Sequence, residues 1–171
     1  SGLIVMTFSS EAAAILSAQF EQREVNKKYV AVVKGNPGEG VFNSKVLVRK
    51  KANSRKEAVT NYTTLKSVFT DISYKDQANI VLSLVEIFPE TGRWHQIRQH
   101  FAVNRYDIVG DNQHGDFTLN KIVTERTGIR RMLFHASSIR FTHPRSKEKM
   151  EFNSTIPEEF NYVIDSLKID K

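Results

Sequence analysis

Lys28-Tyr29-Val30-Ala31-Val32-Val33-Lys34-Gly35-Asn36-Pro37-Gly38-Glu39-Gly40 is the stretch on which the fold turns. Its first part, Lys28 to Lys34, is rich in β-branched residues, reads as a strand and stops at Gly35. Its second part, Gly35 to Gly40, is the clearest turn in the chain: three glycines supply backbone freedom and Pro37 fixes its own φ. A strand that runs into a turn of this kind favours hairpins and antiparallel pairing.

Working outward, Val46, Val48, Val59 and Thr60 to Leu65 suggest further strands. They flank a basic, polar loop, Arg49-Lys50-Lys51-Ala52-Asn53-Ser54-Arg55-Lys56. Such a loop is a solvated surface or a phosphate-contact surface, and both readings stay open. Asn79 to Phe88 is a longer β run, ended by Pro89 and Gly92. Arg93 to about Val103 reads as a helix beginning at once after Gly92. Ile108-Val109 is a short strand leading into Gly110-Asp111, and residues 112–131 read as polar and irregular. Met132 to Phe141 is a strand broken by His143-Pro144, and Met150 to Phe152 is another. Pro157 suits the start of a last helix, whose apolar face carries Phe160, Val163, Ile164 and Leu167. Toward the N-terminus, Leu3 to Phe8 reads as a buried strand. Ser9 or Ser10 then caps a helix reaching about Arg23, with Phe20 closing its apolar face. Strands and helices mix without βαβ alternation. The expected class is α+β, with a central mixed, largely antiparallel sheet flanked by helices. No repeat or linker divides residues 1–171, which read as one domain.

Of the 171 residues, 40% are hydrophobic and 26% charged, a soluble globular composition. No run approaches the roughly 18–20 apolar residues of a membrane span, and no signal peptide opens the chain, so a cytoplasmic address is expected. With no cysteine, disulfides, thiolate zinc sites and a cysteine nucleophile are excluded. Lys plus Arg number 25 against 19 Asp plus Glu, a formal net charge of +6. That field attracts polyanions, nucleic acid among them.

The densest functional signal is Gly92-Arg93-Trp94-His95-Gln96-Ile97-Arg98-Gln99-His100-Phe101. Ile97 and Phe101, four apart, face a core, and Arg98 lies at the edge of that stripe, with Arg105 two turns further on. An Arg at a core boundary needs an anion, because a desolvated unpaired charge costs several kcal/mol. A structural salt bridge satisfies that need as well as a ligand does. His95 and His100 are five apart and leave one helical face, and no H-E-x-x-H occurs, so no metal is expected. His135, inside an apolar strand, reads as a hydrogen-bonded core histidine. Asp111, His114 and Asp116 follow a glycine and read as a turn before they read as a ribose site. With no P-loop or dinucleotide fingerprint, no nucleotide cofactor is expected. Tyr29, beside lysines, reads as packing or as a base-stacking platform.

Four blocks together resemble the RluA-type family of RNA pseudouridine synthases. They are Lys27 to Gly35, Thr91 to His100, Ile108-Val109-Gly110-Asp111 through His114-Gly115-Asp116, and Phe134-His135-Ala136 with Phe141-Thr142-His143-Pro144. The resemblance covers essentially the whole chain. The His114-Gly115-Asp116 ending is most similar to the tRNA-directed branch, which modifies a uridine near the acceptor and T stems. The resemblance implies isomerisation of uridine to pseudouridine in tRNA, with rRNA the lesser alternative, and neither cofactor nor metal. The family's catalytic aspartate lies in a segment reading H-R-L-D-x-x-T-S-G-L. This chain opens Ser1-Gly2-Leu3, so the expectation is a start just after that aspartate, with the N-terminal part missing and the 171 residues inactive alone. A Ser-Gly start also fits a cloning remnant, although Leu3-Ile4-Val5-Met6-Thr7 continues the family pattern.

By match, the resemblance makes Tyr29 the tyrosine that packs on the target base and acts in proton transfer. It makes Arg98 the partner of the catalytic aspartate, and so implies that the anion of Arg98 is missing here. Phe134 takes the apolar pocket position. Arg93, His95 and Gln96 flank the RNA, and the basic residues Arg105, Lys50, Lys51, Arg55 and Lys56 extend the RNA surface. Two departures stand out: Trp94 replaces a small hydroxyl residue, and Asn104-Arg105-Tyr106-Asp107 replaces a Gly-x-Pro-like approach. The rival reading is a non-catalytic RNA-binding module on the same basic face. A nuclease would need a carboxylate cluster for metal, and the sequence offers none.

Overall fold

The computed structural model describes residues 1–48 and 54–169. In chain order the elements are α1 (Ser10–Glu21), β1 (Asn26–Lys34), β2 (Glu39–Leu47), β3 (Arg55–Phe69), β4 (Val81–Pro89), α2 (Gln96–Val103), α3 (Phe117–Thr127), β5 (Phe134–Thr142), β6 (Lys149–Asn153) and α4 (Glu158–Ser166). The strands form one sheet in the order β2-β3-β4-β1-β5-β6. Every ladder is antiparallel. The expected α+β class holds, and the parallel component of the expected mixed sheet shrinks to an isolated Gly2–Ala136 bridge.

β1 sits at the middle of this sheet and is covered on both faces. Val30 and Val32 enter a core with Leu82, Leu84, Leu119, Val123 and the α4 residues Phe160, Val163 and Ile164. Ala31 and Val33 enter a second core on the opposite face, with Phe42, Tyr62, Val85, Ile87, Ile97 and Phe101. Burial on both faces explains why the β1 run has no alternation of apolar and polar residues. The Gly35–Gly40 turn, however, closes no hairpin. β1 pairs with β4 and β5, while β2 lies at the sheet edge against β3. The turn instead carries the chain past two strands, pinned where Gly35 N–H donates to Val81 O (2.7 Å) and Thr64 N–H to Gly38 O (2.8 Å).

Four local expectations are corrected. Leu3 to Phe8 is not a buried strand: Ile4 is 80% and Met6 72% exposed. Ser1 to Leu3 take the free edge of β5 at Phe134 to Ala136, but from Ser138 onward β6 occupies that edge. Gly2 has φ +101°, and a Cβ there would lie 2.3 Å from Ala136 O, so only glycine fits this seam. The helix after Gly92 starts at Gln96 rather than Arg93, because His95 takes a left-handed φ of 48° and breaks helical continuity. Residues 112–131 are not irregular: they contain α3. Asp116 caps it by accepting from Thr118 and Leu119 N–H (both 3.1 Å), and Gly128 ends it at φ 75°. Arg55 and Lys56 leave the expected loop and open β3, both exposed, while Lys50 and Lys51 lie outside the described residues.

Candidate active site

Tyr29 owes its position to an irregularity in the sheet. The β1–β5 register pairs Lys28 with Ser138 but Tyr29 with Ala136, so Ser137 is an extra residue on β5. A bulge of this kind re-aims neighbouring side chains. Phe134 stands opposite Ala31 on the same face as Tyr29, and the two rings stack at 5.1 Å with 4° between their planes. Tyr29, Phe134, Ile97, Gly92, Arg93 and Arg98 line one cavity of about 230 Å³. This is smaller than the ~300–1,000 Å³ of drug-sized pockets and has an aromatic wall, as a planar group requires. The expected pocket residues Tyr29, Phe134 and Arg98 therefore come together, from β1, β5 and α2.

The polar side chains around Arg98 anchor α2. Gln96 is buried; its Oε1 accepts from the Thr91 hydroxyl (2.7 Å) and Arg93 N–H (3.0 Å). Its amide donates to Val59 O (2.9 Å) and Thr60 Oγ1 (3.0 Å). That set uses its hydrogen-bonding capacity internally, while Gln96 also lines the cavity beside Ile97 and Arg98. Gln99 donates to Trp94 O (2.8 Å) and accepts from Leu47 N–H (2.9 Å). His100 is buried between Thr60 Oγ1 (2.9 Å) and Ser44 O (3.1 Å), and burial pulls its pKa down. These three residues clamp α2 to β2 and β3.

Arg98 is where expectation and geometry part most clearly. The expected unanswered guanidinium is corrected: Arg98 already pairs with an acid of this chain, Asp111. Arg98 Nε donates to Asp111 Oδ2 and Nη2 to Oδ1, both at 2.6 Å, a bidentate pair. Asp111 is 1% exposed and also accepts from Gln113 N–H (2.9 Å) and His114 N–H (3.0 Å), which makes the turn expected at this position. Burial acts to raise the Asp111 pKa, but Arg98 and these two N–H groups outweigh it and hold the carboxyl at about 2. The other edge of the guanidinium, Nη1, lies 3.0–3.2 Å from the His95 ring nitrogens. His95 also meets His114 (Nδ1 to Nε2, 3.1 Å) and stacks on Trp94 at 4.0 Å. Burial lowers the His114 pKa, as befits a ring beside this cation. At the sequence level Asp111 and His114 read as a turn; their pairing around Arg98 was missed, because the need of Arg98 for an anion signals an acid without saying which.

The remaining expected residues scatter. Arg93 lines the cavity and reaches Glu57 O at 3.5 Å. Arg105 does not share the Arg98 face: it follows the C-terminal end of α2, exposed, with φ 64°. His135 is buried, with Nδ1 3.0 Å from Ser1 Oγ, a core position as expected. Among the described residues no group of three or more His, Asp and Glu side chains converges as a metal site requires.

Residues 1–103 match the protein family described as RNA pseudouridylate synthase. The tRNA pseudouridine synthase C of Haemophilus ducreyi is 34% identical over 172 residues, covering 95% of this chain and 71% of that protein. Its counterpart from Pasteurella multocida is 37% identical over 160 residues, covering 88% and 66% respectively. This chain thus spans about two thirds of the length of these relatives. Among solved structures, human RNA pseudouridylate synthase domain containing 4 has a TM-score of 0.66 at 21% identity, covering 94% of this chain and 69% of that one. Human RNA pseudouridylate synthase domain containing 1 gives 0.69 at 20% identity, covering 94% and 66%. At such identities the two structures speak for the fold.

Proposed function

The chain belongs to the RNA pseudouridylate synthase family, and from that premise we propose that its Tyr29–Phe134–Arg98 cavity isomerises a uridine of tRNA to pseudouridine. The observation that carries this reading is the aromatic stack standing in one small cavity with a fixed guanidinium. The tRNA substrate follows the relatives named for it, and a cytoplasmic address follows that substrate. No described helix is long and apolar enough to cross a membrane.

The reaction breaks the N1–C1′ bond of uridine, turns the uracil, and forms a C5–C1′ bond, with the C5 proton lost and N1 protonated. Product and substrate are isomers, so no oxidant, reductant or cofactor enters the balance. Tyr29 packs against the base, and its phenolic oxygen takes part in moving the proton that leaves C5 as N1 gains one; burial raises the Tyr29 pKa, which makes that oxygen more basic when deprotonated. Phe134 backs the ring and excludes water. Arg98, held by Asp111 along one edge and lying against His95 along the other, sets a fixed positive charge in the cavity wall that would favour a nearby catalytic carboxylate. The resemblance assigns that carboxylate to an H-R-L-D segment. The Ser1 nitrogen donates to Phe134 O at 3.0 Å, on the strand that carries the cavity wall.

The test is pseudouridine mapping in tRNA and rRNA transcripts treated with the product of the complete reading frame. Conversion of a discrete uridine in tRNA is expected. Binding of tRNA without conversion overturns this reading in favour of a non-catalytic RNA-binding module.

A further inference from the structure

Lys27 is a half-buried cation with no acid beside it. Its ammonium lies 5.6 Å over the Phe20 ring, and among the described residues it makes no ion pair. Its neighbour Lys28, by contrast, pairs with Glu86 at 2.9 Å, and Arg140 pairs with Glu151 at 3.6 Å. Gly92 leaves the approach to Lys27 open: a Cβ there would stand 3.7 Å from Nζ.

Two further cations meet at the same glycine. Lys27 and Arg93 line the base cavity together. Arg23 and Lys27 line a wider cleft of about 550 Å³ beside it. Arg23 and Arg93 line a small cleft of about 150 Å³ against Gly92. Each pair of the three thus shares a wall, and neither Arg23 nor Arg93 has a carboxylate partner among the described residues. Glu21 lines the small cleft, and Glu90 and Glu151 the wide one, but Glu90 accepts from the Asn61 amide (2.9 Å), Glu151 pairs with Arg140 (3.6 Å), and none of these acids is in ion-pair contact with Arg23, Lys27 or Arg93.

We propose that Arg23, Lys27 and Arg93 form a phosphate subsite around Gly92, at the mouth of the base cavity, for a backbone phosphate next to the target nucleotide. This rests on the RNA-modifying reading above and adds to it the path of the strand, out of the cavity and into the wide cleft. A phosphate has the charge and oxygen count to answer three cations that line adjoining clefts, two of them guanidinium forks. It also supplies the counter-charge that a partly desolvated Lys27 lacks, since burial alone pulls the Lys27 pKa down.

The experiment uses the product of the complete reading frame and a tRNA transcript, with binding measured between about 50 and 200 mM salt. Arg23→Gln and Lys27→Met are each expected to weaken binding about 3- to 10-fold and to reduce the salt slope by about 1. The double variant should lose less than the product of the two, because both cations face one phosphate. Lys149→Gln, exposed on β6, should leave binding and slope as they are. Unchanged slopes in both single variants, additive losses, or an equal loss in Lys149→Gln overturn the subsite while the functional reading stands. Wild-type protein that shows no salt-dependent tRNA binding overturns the functional reading itself. If Lys27→Met melts below the wild-type temperature, the exposed Arg23→Gln decides alone.

Discussion

Arg98 and Asp111 form a bidentate pair in which the acid is 1% and the arginine side chain 15% exposed. Breaking such a pair leaves a buried charge without its counterpart. Asp111→Asn is therefore expected to lower the unfolding free energy by about 2–4 kcal/mol, read by urea titration at neutral pH. The pH dependence has a definite sign. Asp111 sits at about 2, below the ordinary carboxylate range, so its contribution is complete above that range and is lost as pH falls toward 2. The gap between wild type and Asp111→Asn should narrow between about pH 4 and pH 2. A gap that stays constant across that window would contradict the assignment. Asp116 also sits at about 2; burial works against it, but Lys75, the Leu119 N–H and Tyr74 hold it there, so part of the acid sensitivity persists in the variant. The need of Arg98 for an anion was legible from its place beside Ile97. The identity of the anion was not, because Asp111 is brought in from the turn after α2 by tertiary packing.

At the scale of elements, α1, α4 and most strands were legible from caps and apolar runs, and the β1 run with its turn announced an antiparallel sheet. The partner of β1 was hidden, since a turn shows where a strand ends and not which strand comes next to it. α3 was hidden by its polar composition, although Asp116 and Gly128 bracket it and Leu119 and Val123, four apart, bury its inner face. The bulge at Ser137 leaves no trace in a single sequence, yet it brings Tyr29 opposite Ala136 and into line with Phe134. The turn that delivers Asp111 depends on Gly110, at φ 79°, where a Cβ would lie 2.3 Å from Arg131 O. Gly38 has φ 70° with nothing within 4 Å of a Cβ. Gly38→Ala is expected to cost about 1–2 kcal/mol through backbone strain alone. Gly110→Ala should cost clearly more, because the Arg131 backbone must move. Thermal melts that rank the two in the opposite order would contradict this account of the turn.

For the molecule as a whole, the +6 charge and the basic residues near the cavity supply the positive field on which the proposed RNA contact draws. Arg55 and Lys56 stand exposed at the start of β3, on the strand whose Glu57 carbonyl Arg93 reaches. Replacing both by Gln is expected to weaken tRNA binding and to flatten its salt slope by about 1–2. An unchanged slope would make this edge a solvated surface only. Chemistry, by contrast, is expected to depend on the cavity and not on that edge. The most direct measurement is turnover beside affinity for Tyr29→Phe, which keeps the ring stacked on Phe134 and removes only the hydroxyl. On a single tRNA transcript the account predicts a fall in pseudouridine formation of about 100-fold or more, with the Kd within about 3-fold of wild type. Turnover undiminished by the missing hydroxyl would contradict it.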